Sequence, residues 1–224
     1  MKILLTYQGN ITIRRANRAD VARLLHICRK CFPDDILYQG VRWHGENWWQ
    51  VAVMSEAADT YVVERDAQVA AFAVLVKNEE LWKKGRKQRH SPLVIRLLSR
   101  LVCPRLAAAE IRRNVNKLIN RTEKCLRKPP AIRSYNRTWL ELLAVLPEER
   151  GHGIAKQLLQ ECESHTKAMG REAIGLMVPT SNLPAIRLYE QMGYKKTAKI
   201  LEYEFYVKVL DSTLTHGEVP APQE

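Results

Sequence analysis

The chain has 224 residues and a mass of 25.8 kDa, enough for one domain that buries roughly 70% of its unfolded surface. Its 46% hydrophobic and 27% charged residues lie near globular averages and exclude wholesale disorder or a collagen-like repeat. The formal charge of +12 admits an anionic partner, and its distribution decides what it means.

No apolar run approaches the ~20 residues that span a bilayer. The start, Met1-Lys2-Ile3-Leu4-Leu5-Thr6-Tyr7-Gln8, is too short and too soon polar for a signal peptide. The expected location is therefore cytoplasmic. Ile11 to Arg15 alternates apolar and polar as a half-buried strand does, and Asn17 to Asp20 offers capping residues for a helix reaching Phe32. That helix holds Cys28 and Cys31 with His26 nearby. Five cysteines at irregular spacing do not resemble a disulfide framework, no second Cys pair completes a zinc site, and a spacing of three simply puts these two on one helix face. No metal is expected. Thr60 to Arg65 and Val69 to Val76, joined by Asp66-Ala67-Gln68, read as a hairpin of β-rich runs.

Between Glu79 and Arg133 there are 16 Lys and Arg against 4 Asp and Glu, so this one segment carries the whole charge imbalance. It opens with Lys83-Lys84-Gly85-Arg86-Lys87-Gln88-Arg89, runs through the apolar stretch Leu93 to Val102 and stops at Pro104. A longer helical pattern follows, with Ile111, Val115, Leu118, Ile119 and Leu126 on one stripe, and Pro129-Pro130 ends it. The segment reads as a basic helical hairpin inserted into a charge-balanced α/β domain. It could pack its stripe on the parent domain, lie on anionic lipid, or hold nucleic acid or another anionic partner.

After the insertion, Thr138 to Leu146 is a further apolar run, followed by a long helix from Gly153 to Met169. Ala173 to Val178 reads as a buried strand, Leu183 to Met192 as a helix, Tyr194 to Val209 as a closing strand pair, and the residues after Asp211 as a loose tail. The order implies an α/β fold with a mixed sheet.

The segment Leu140 to Leu159 is the most informative. A buried strand enters a turn with Gly151 and Gly153, and the turn opens an amphipathic helix. Such glycines let the backbone approach a ligand, and the N–H groups converging at the helix N-terminus favour an anion such as a diphosphate. The P-loop's Gly-Lys-Ser/Thr is absent, and Lys156 stands where a dinucleotide fingerprint needs its third glycine.

Leu143-Ala144-Val145-x-Pro147 followed by Arg150-x-x-Gly153-x-Ala155 resembles the acyl-CoA motif of the GCN5-related N-acetyltransferase (GNAT) superfamily. Asn182-x-x-Ala185-x-x-Leu188-Tyr189-Glu190-x-x-Gly193-Tyr194 is similar to the second half of that family's signature. The resemblance covers Ile11 to about Val209, apart from the insertion between Glu79 and Asn136. It implies a mixed, mostly antiparallel sheet with a splayed central strand pair and flanking helices, plus the helical insertion. As domains it implies residues 1–210 as one acyl-CoA N-acyltransferase unit with the insertion at 79–136, and 211–224 as tail.

The resemblance also implies acetyl-CoA as acyl-donor substrate and direct attack by an acceptor amine. Main-chain groups of Leu143 and Val145 would meet pantetheine and the thioester oxygen; Arg150, Gly151, His152, Gly153, Ile154 and Ala155 would meet the diphosphate; Asn182 would meet the pantetheine arm. Tyr189 matches the family's proton donor to the leaving thiolate. Strand alternation would place Trp139, Glu141, Leu143 and Val145 on one face, which makes Glu141 the carboxylate nearest the reacting centre and a candidate base, or else an exposed strand residue. His152 is expected to face solvent.

Trp43-His44-Gly45-Glu46-Asn47-Trp48-Trp49 lies where related folds border the acceptor pocket. Trp43, His44 and Trp48 are candidate acceptor contacts, with core packing the alternative for Trp48 and Trp49. The leading expectation is N-acetyl transfer to a primary amine of a small molecule or amino sugar. The alternatives are longer-chain acyl transfer to a membrane-associated acceptor, with the chain peripheral at an inner membrane face, or a non-catalytic acyl-CoA-binding module docking protein or nucleic acid through the insertion. An anionic surface ranks ahead of nucleic acid as the insertion's partner, and a homodimer is compatible with the sequence.

Overall fold

The computed structural model describes residues 5–7, 11–32, 42–85, 129, 132 and 134–210. Residues 86–128, where a basic helical hairpin was expected, and the tail from 211 lie outside the described residues. Eight strands form one sheet in the order β1-β2-β3-β4-β5-β6-β8-β7. They are β1 (Leu5–Tyr7), β2 (Ile11–Arg15), β3 (Ala58–Arg65), β4 (Gln68–Val76), β5 (Arg137–Val145), β6 (Ala173–Pro179), β7 (Lys195–Ile200) and β8 (Tyr203–Val209). Only β5 and β6 run parallel; every other neighbouring pair is antiparallel.

Helices α1 (Val21–Cys31) and α2 (Arg42–Met54) precede β3, α3 (Ile154–Ala168) joins β5 to β6, and α4 (Leu183–Gln191) joins β6 to β7. The entry to α1 is a capping box: Asn17 Oδ1 accepts the Ala19 N–H, and Asp20 accepts the Asn17 N–H at 2.7 Å. Arg14 of β2 grips the same Asp20 through both Nη atoms at 2.8 Å, so strand and helix are tied where one leads into the other. The β3–β4 hairpin closes on Asp66 and Ala67, both with positive φ, the pattern of a type I′ turn.

Two apolar layers cover the sheet. One face packs against α1 and α2 through Leu24, Ile27, Trp49, Phe72, Trp139 and Phe205. The other packs against α3 and α4 through Ala73, Leu140, Leu158, Leu159, Leu176 and Tyr189. Each fully buried leucine or isoleucine contributes roughly 1.5–3 kcal/mol of burial free energy. Strand β1 and helix α2 go beyond the sequence expectation. The first is only three residues long, and the second packs Trp48 and Trp49 into the core, the alternative expected for those two residues.

Of the expected insertion, residues 79–85, 129, 132 and 134–136 are among the described residues. Residues 79–85 are helical, with Asn78 Oδ1 accepting the N–H groups of Glu80 and Leu81. Trp82 is buried in the α1–α2 layer, and Glu79 meets Arg137 at 2.7 Å, so this first part packs on the sheet.

Candidate active site

The site is built from a break in strand pairing. Strand β6 pairs with β5 only over Ala173–Leu176 against Arg137–Leu140, and its last residues, Met177 to Pro179, pair with β8 alone. From Glu141 to Val145, β5 has β4 on one side and a widening cleft on the other. The ladder phase says which groups enter that cleft. Leu146 N–H donates to Ala70 O, so the 146/70 pair exchanges bonds with β4, as do the pairs two residues back. Leu143 and Val145, opposite Ala73 and Ala71, are then the non-bonded pairs, and their N–H and C=O groups point away from β4 into the cleft.

Glu141 does not sit where simple alternation puts it. Val74 pairs with Leu142 and Leu75 with Leu140, so Glu141 is the extra residue of a β-bulge. The strand's facing switches there: Trp139 packs on the α1–α2 layer, whereas Leu143 and Val145 pack on the α3–α4 layer. The expected single face holding Trp139, Glu141, Leu143 and Val145 is therefore corrected. The half-buried Glu141 lies at the bend where the cleft opens.

At the other end of the cleft, a short 3-10 turn at Pro147–Glu149 leads to Arg150, Gly151, His152 and Gly153. Gly151 and Gly153 have φ of 84° and 74°, a region that costs side-chain-bearing residues dearly, and a Cβ at either would meet nothing within 4 Å. Gly153 caps α3, and Gln157 N–H is the first to close on the Gly153 carbonyl. The N–H groups of Ile154, Ala155 and Lys156 have no helical carbonyl before them, at the positive end of the helix dipole. The backbone of this turn is thus open to an anion, which fits the diphosphate expected there. Among the described residues no three His, Cys, Asp or Glu converge to hold a metal.

Arg150 is exposed, and its Nε donates to Val145 O at 3.2 Å, folding the turn back on the strand. Cys31 of α1 donates to the same carbonyl at 3.3 Å. The sequence reading missed this contact: a helical spacing places Cys31 on a face but cannot name a strand carbonyl far along the chain. His152 is exposed, with Nδ1 3.3 Å from Glu149 O.

Tyr189 is 7% exposed and packs with Tyr194 and Tyr206 at ring-centroid distances of 5.7 and 6.4 Å, in the apolar layer that also holds Val145 and Val178. Burial pushes its phenol well above the ordinary range. Asn182 caps α4, its side chain accepting the Ala185 N–H at 3.3 Å. Trp48 stands edge-on to Trp49 and Trp82 at 4.8 and 5.6 Å, and Trp49 is fully buried against Phe72. These two rings belong to the α1–α2 core. Trp43 and His44 fall on α2, with side chains outside the described residues.

Residues 111–194 match the acetyltransferase (GNAT) family. Solved structures share the fold across most of the chain. An N-acetyltransferase from Staphylococcus aureus Mu50 is 18% identical at a TM-score of 0.59, covering 91% of this chain and all of its own. The ribosomal-protein-S18-alanine N-acetyltransferase from Escherichia coli is 14% identical at 0.53, covering 92% and 99%. Arabidopsis thaliana NAA60, solved with acetyl-CoA, is 17% identical at 0.55, covering 89% and 98%. Residues 111–194 thus resemble the acetyltransferase (GNAT) family, and the fold around the cleft is the one these solved acetyltransferases share.

Proposed function

We propose that the protein is an acetyl-CoA-dependent N-acetyltransferase that modifies a primary amine of a small molecule or amino sugar by direct attack in a ternary complex. The observation that carries this reading is the cleft itself, into which Leu143 and Val145 aim their main-chain groups beside the open turn Gly151–Ala155. Acetyl-CoA would supply the acyl group as a thioester. The N–H groups of the turn and of the first turn of α3 hold the diphosphate, the β5 groups and the Nδ2 of Asn182 hold the pantetheine arm, and a β5 N–H at Leu143 or Val145 stabilises charge on the thioester oxygen. A preorganised donor of that kind is worth about 3 kcal/mol in the transition state.

In the transfer an N–C bond forms and a C–S bond breaks. Glu141, at the bulge, takes the proton that the attacking amine loses, and Tyr189 gives one to the departing thiolate. A buried phenol held above its ordinary pKa is protonated at neutral pH, as that role requires. Trp43 and His44, on the first turn of α2, are the candidate acceptor contacts of that helix.

The test has two parts. Acetyl-CoA at a hundred times its Kd should stabilise the protein by about 2.7 kcal/mol in thermal unfolding, and absence of any shift with acetyl-CoA or CoA removes the proposal. A thiol-release assay over an amine panel then identifies the acceptor, and Glu141→Gln should abolish the ascending limb of the pH–rate profile. An intact limb reassigns the base.

A further inference from the structure

The last peptide of β5 is held from both sides. Its N–H, that of Leu146, donates across to Ala70 O of β4 at 3.0 Å. Its C=O, that of Val145, points away from β4 into the cleft and already receives two bonds, from Arg150 Nε at 3.2 Å and from Cys31 Sγ at 3.3 Å. A carbonyl oxygen has two lone pairs, so this one is filled from within the chain. The Val145 N–H belongs to the preceding peptide and is directed into the cleft, where its aim depends on how firmly the strand end is fixed.

The two donors come from different parts of the fold. Arg150 opens the glycine turn, and its bond reaches back only five residues. Cys31 lies 114 residues away from Val145, at the end of α1, a helix that packs in the opposite layer from α3. The Cys28-x-x-Cys31 spacing thus divides its thiols: Cys28 is fully buried in the α1–α2 layer, and Cys31 is half-buried and turned to β5. Burial pushes the Cys31 thiol above its ordinary range against the nearby Arg150 guanidinium, so it is protonated at neutral pH and can donate. The end of α1 touches the exit of β5 a second time, where Lys30 meets Glu148 at 3.4 Å, and Arg65 at the end of β3 meets Glu149 at 2.8 Å. The Lys30 pair is open to water and worth little alone. The thiol contact is different in kind, because it is aimed at one atom of the cleft wall.

We infer that Cys31 is a positioning residue for the acyl donor: together with Arg150 it fixes the Val145 peptide, and through it the aim of the Val145 N–H and the seat of the Gly151–Gly153 turn. The inference rests on the acetyl-transfer reading above. Calorimetric titration of acetyl-CoA into wild type, Cys31→Ser, Cys31→Ala and Cys31→Val tests it. Serine keeps a hydrogen-bond donor, alanine removes it, and valine fills the space without one. Kd should rise about fivefold in Cys31→Ala and Cys31→Val and stay within about twofold of wild type in Cys31→Ser, whatever each substitution does to Tm. A side chain that served packing alone would order the variants by volume, with Cys31→Val nearest wild type, and that order overturns the inference. An unchanged Kd in Cys31→Ala overturns it too, as does equal weakening in Cys31→Ala and Cys31→Ser, a contrast that decides even where valine perturbs folding. Tighter binding in Cys31→Ala also overturns it, since the thiol would then compete with the donor for the carbonyl. A wild type that binds no acetyl-CoA overturns the donor reading itself, and this assignment with it.

Discussion

Tyr189 and Gly153 carry opposite kinds of constraint. Tyr189 is fixed by packing: its ring is shared with Tyr194 and Tyr206, and removing the hydroxyl alone leaves that contact intact. Tyr189→Phe should therefore keep stability within about 1 kcal/mol and acetyl-CoA affinity within about twofold, while kcat falls roughly a hundredfold. An unchanged kcat would assign the acid elsewhere. Gly153 is fixed by its backbone. An added Cβ has open space, so the cost of Gly153→Ala is that of φ at 74°, about 1–2 kcal/mol, and calorimetry should register it as a lower Tm. The glycine turn and the helix that carries Asn182 and Tyr189 were legible in the sequence from local spacing, whereas the roles expected of those two residues came from the family resemblance. The contact of Cys31 was not, since it is made to a carbonyl on a distant strand.

At the scale of the element, β5 does two jobs that a regular strand cannot combine. Its first half pairs on both sides and its second half on one, and the bulge at Glu141 is where the change falls. Hydrophobic alternation located the strand to within a residue, yet it assumes an unbroken two-residue period, and so assigned Trp139 to the wrong face. The bulge predicts a specific outcome for deleting Glu141. The residues on both sides already face their proper layers, so the shortened strand can pair with β4 in an unbroken register and the fold should persist. The bend should be lost, and with it the aim of the Leu143 and Val145 groups. Circular dichroism should show native secondary structure while the acetyl-CoA-induced thermal shift falls by more than half; full retention of that shift would show that the bulge does not shape the donor cleft.

At the scale of the whole molecule, the two signs of charge are distributed differently along the chain. The surplus cations lie in the insertion, whereas the scaffold pairs its buried carboxylates closely. Asp59, 6% exposed at the start of β3, receives Lys77 at 3.0 Å and both Arg15 and His165 at 2.7 Å, which ties β2, β3, the end of β4 and α3 at the end of the sheet away from the Gly151–Gly153 turn. None of this was legible in the sequence, because the four residues converge only through sheet order. Burial by itself would raise the Asp59 carboxyl, but hydrogen bonds from His165 and Lys77 and the charges of Lys77 and Arg15 hold it below the usual range. Asp20 is lowered too: burial opposes the shift, and the Arg14 and Asn17 bonds outweigh it. A carboxyl depressed in the folded state contributes stability that is complete above its unfolded pKa, about 3.9, and is lost as pH falls through the folded value. Asp59→Asn should cost about 2–3 kcal/mol at pH 7, less than for a fully buried pair because Arg15 remains open to water. Its deficit should shrink as pH drops below about 4, where wild type loses the same charge, and Asp20 should leave a residual acid sensitivity in the variant. Urea midpoints measured from pH 7 to pH 2.5 check this, and a deficit that stays constant across that range would show that the Asp59 charge contributes nothing beyond its shape.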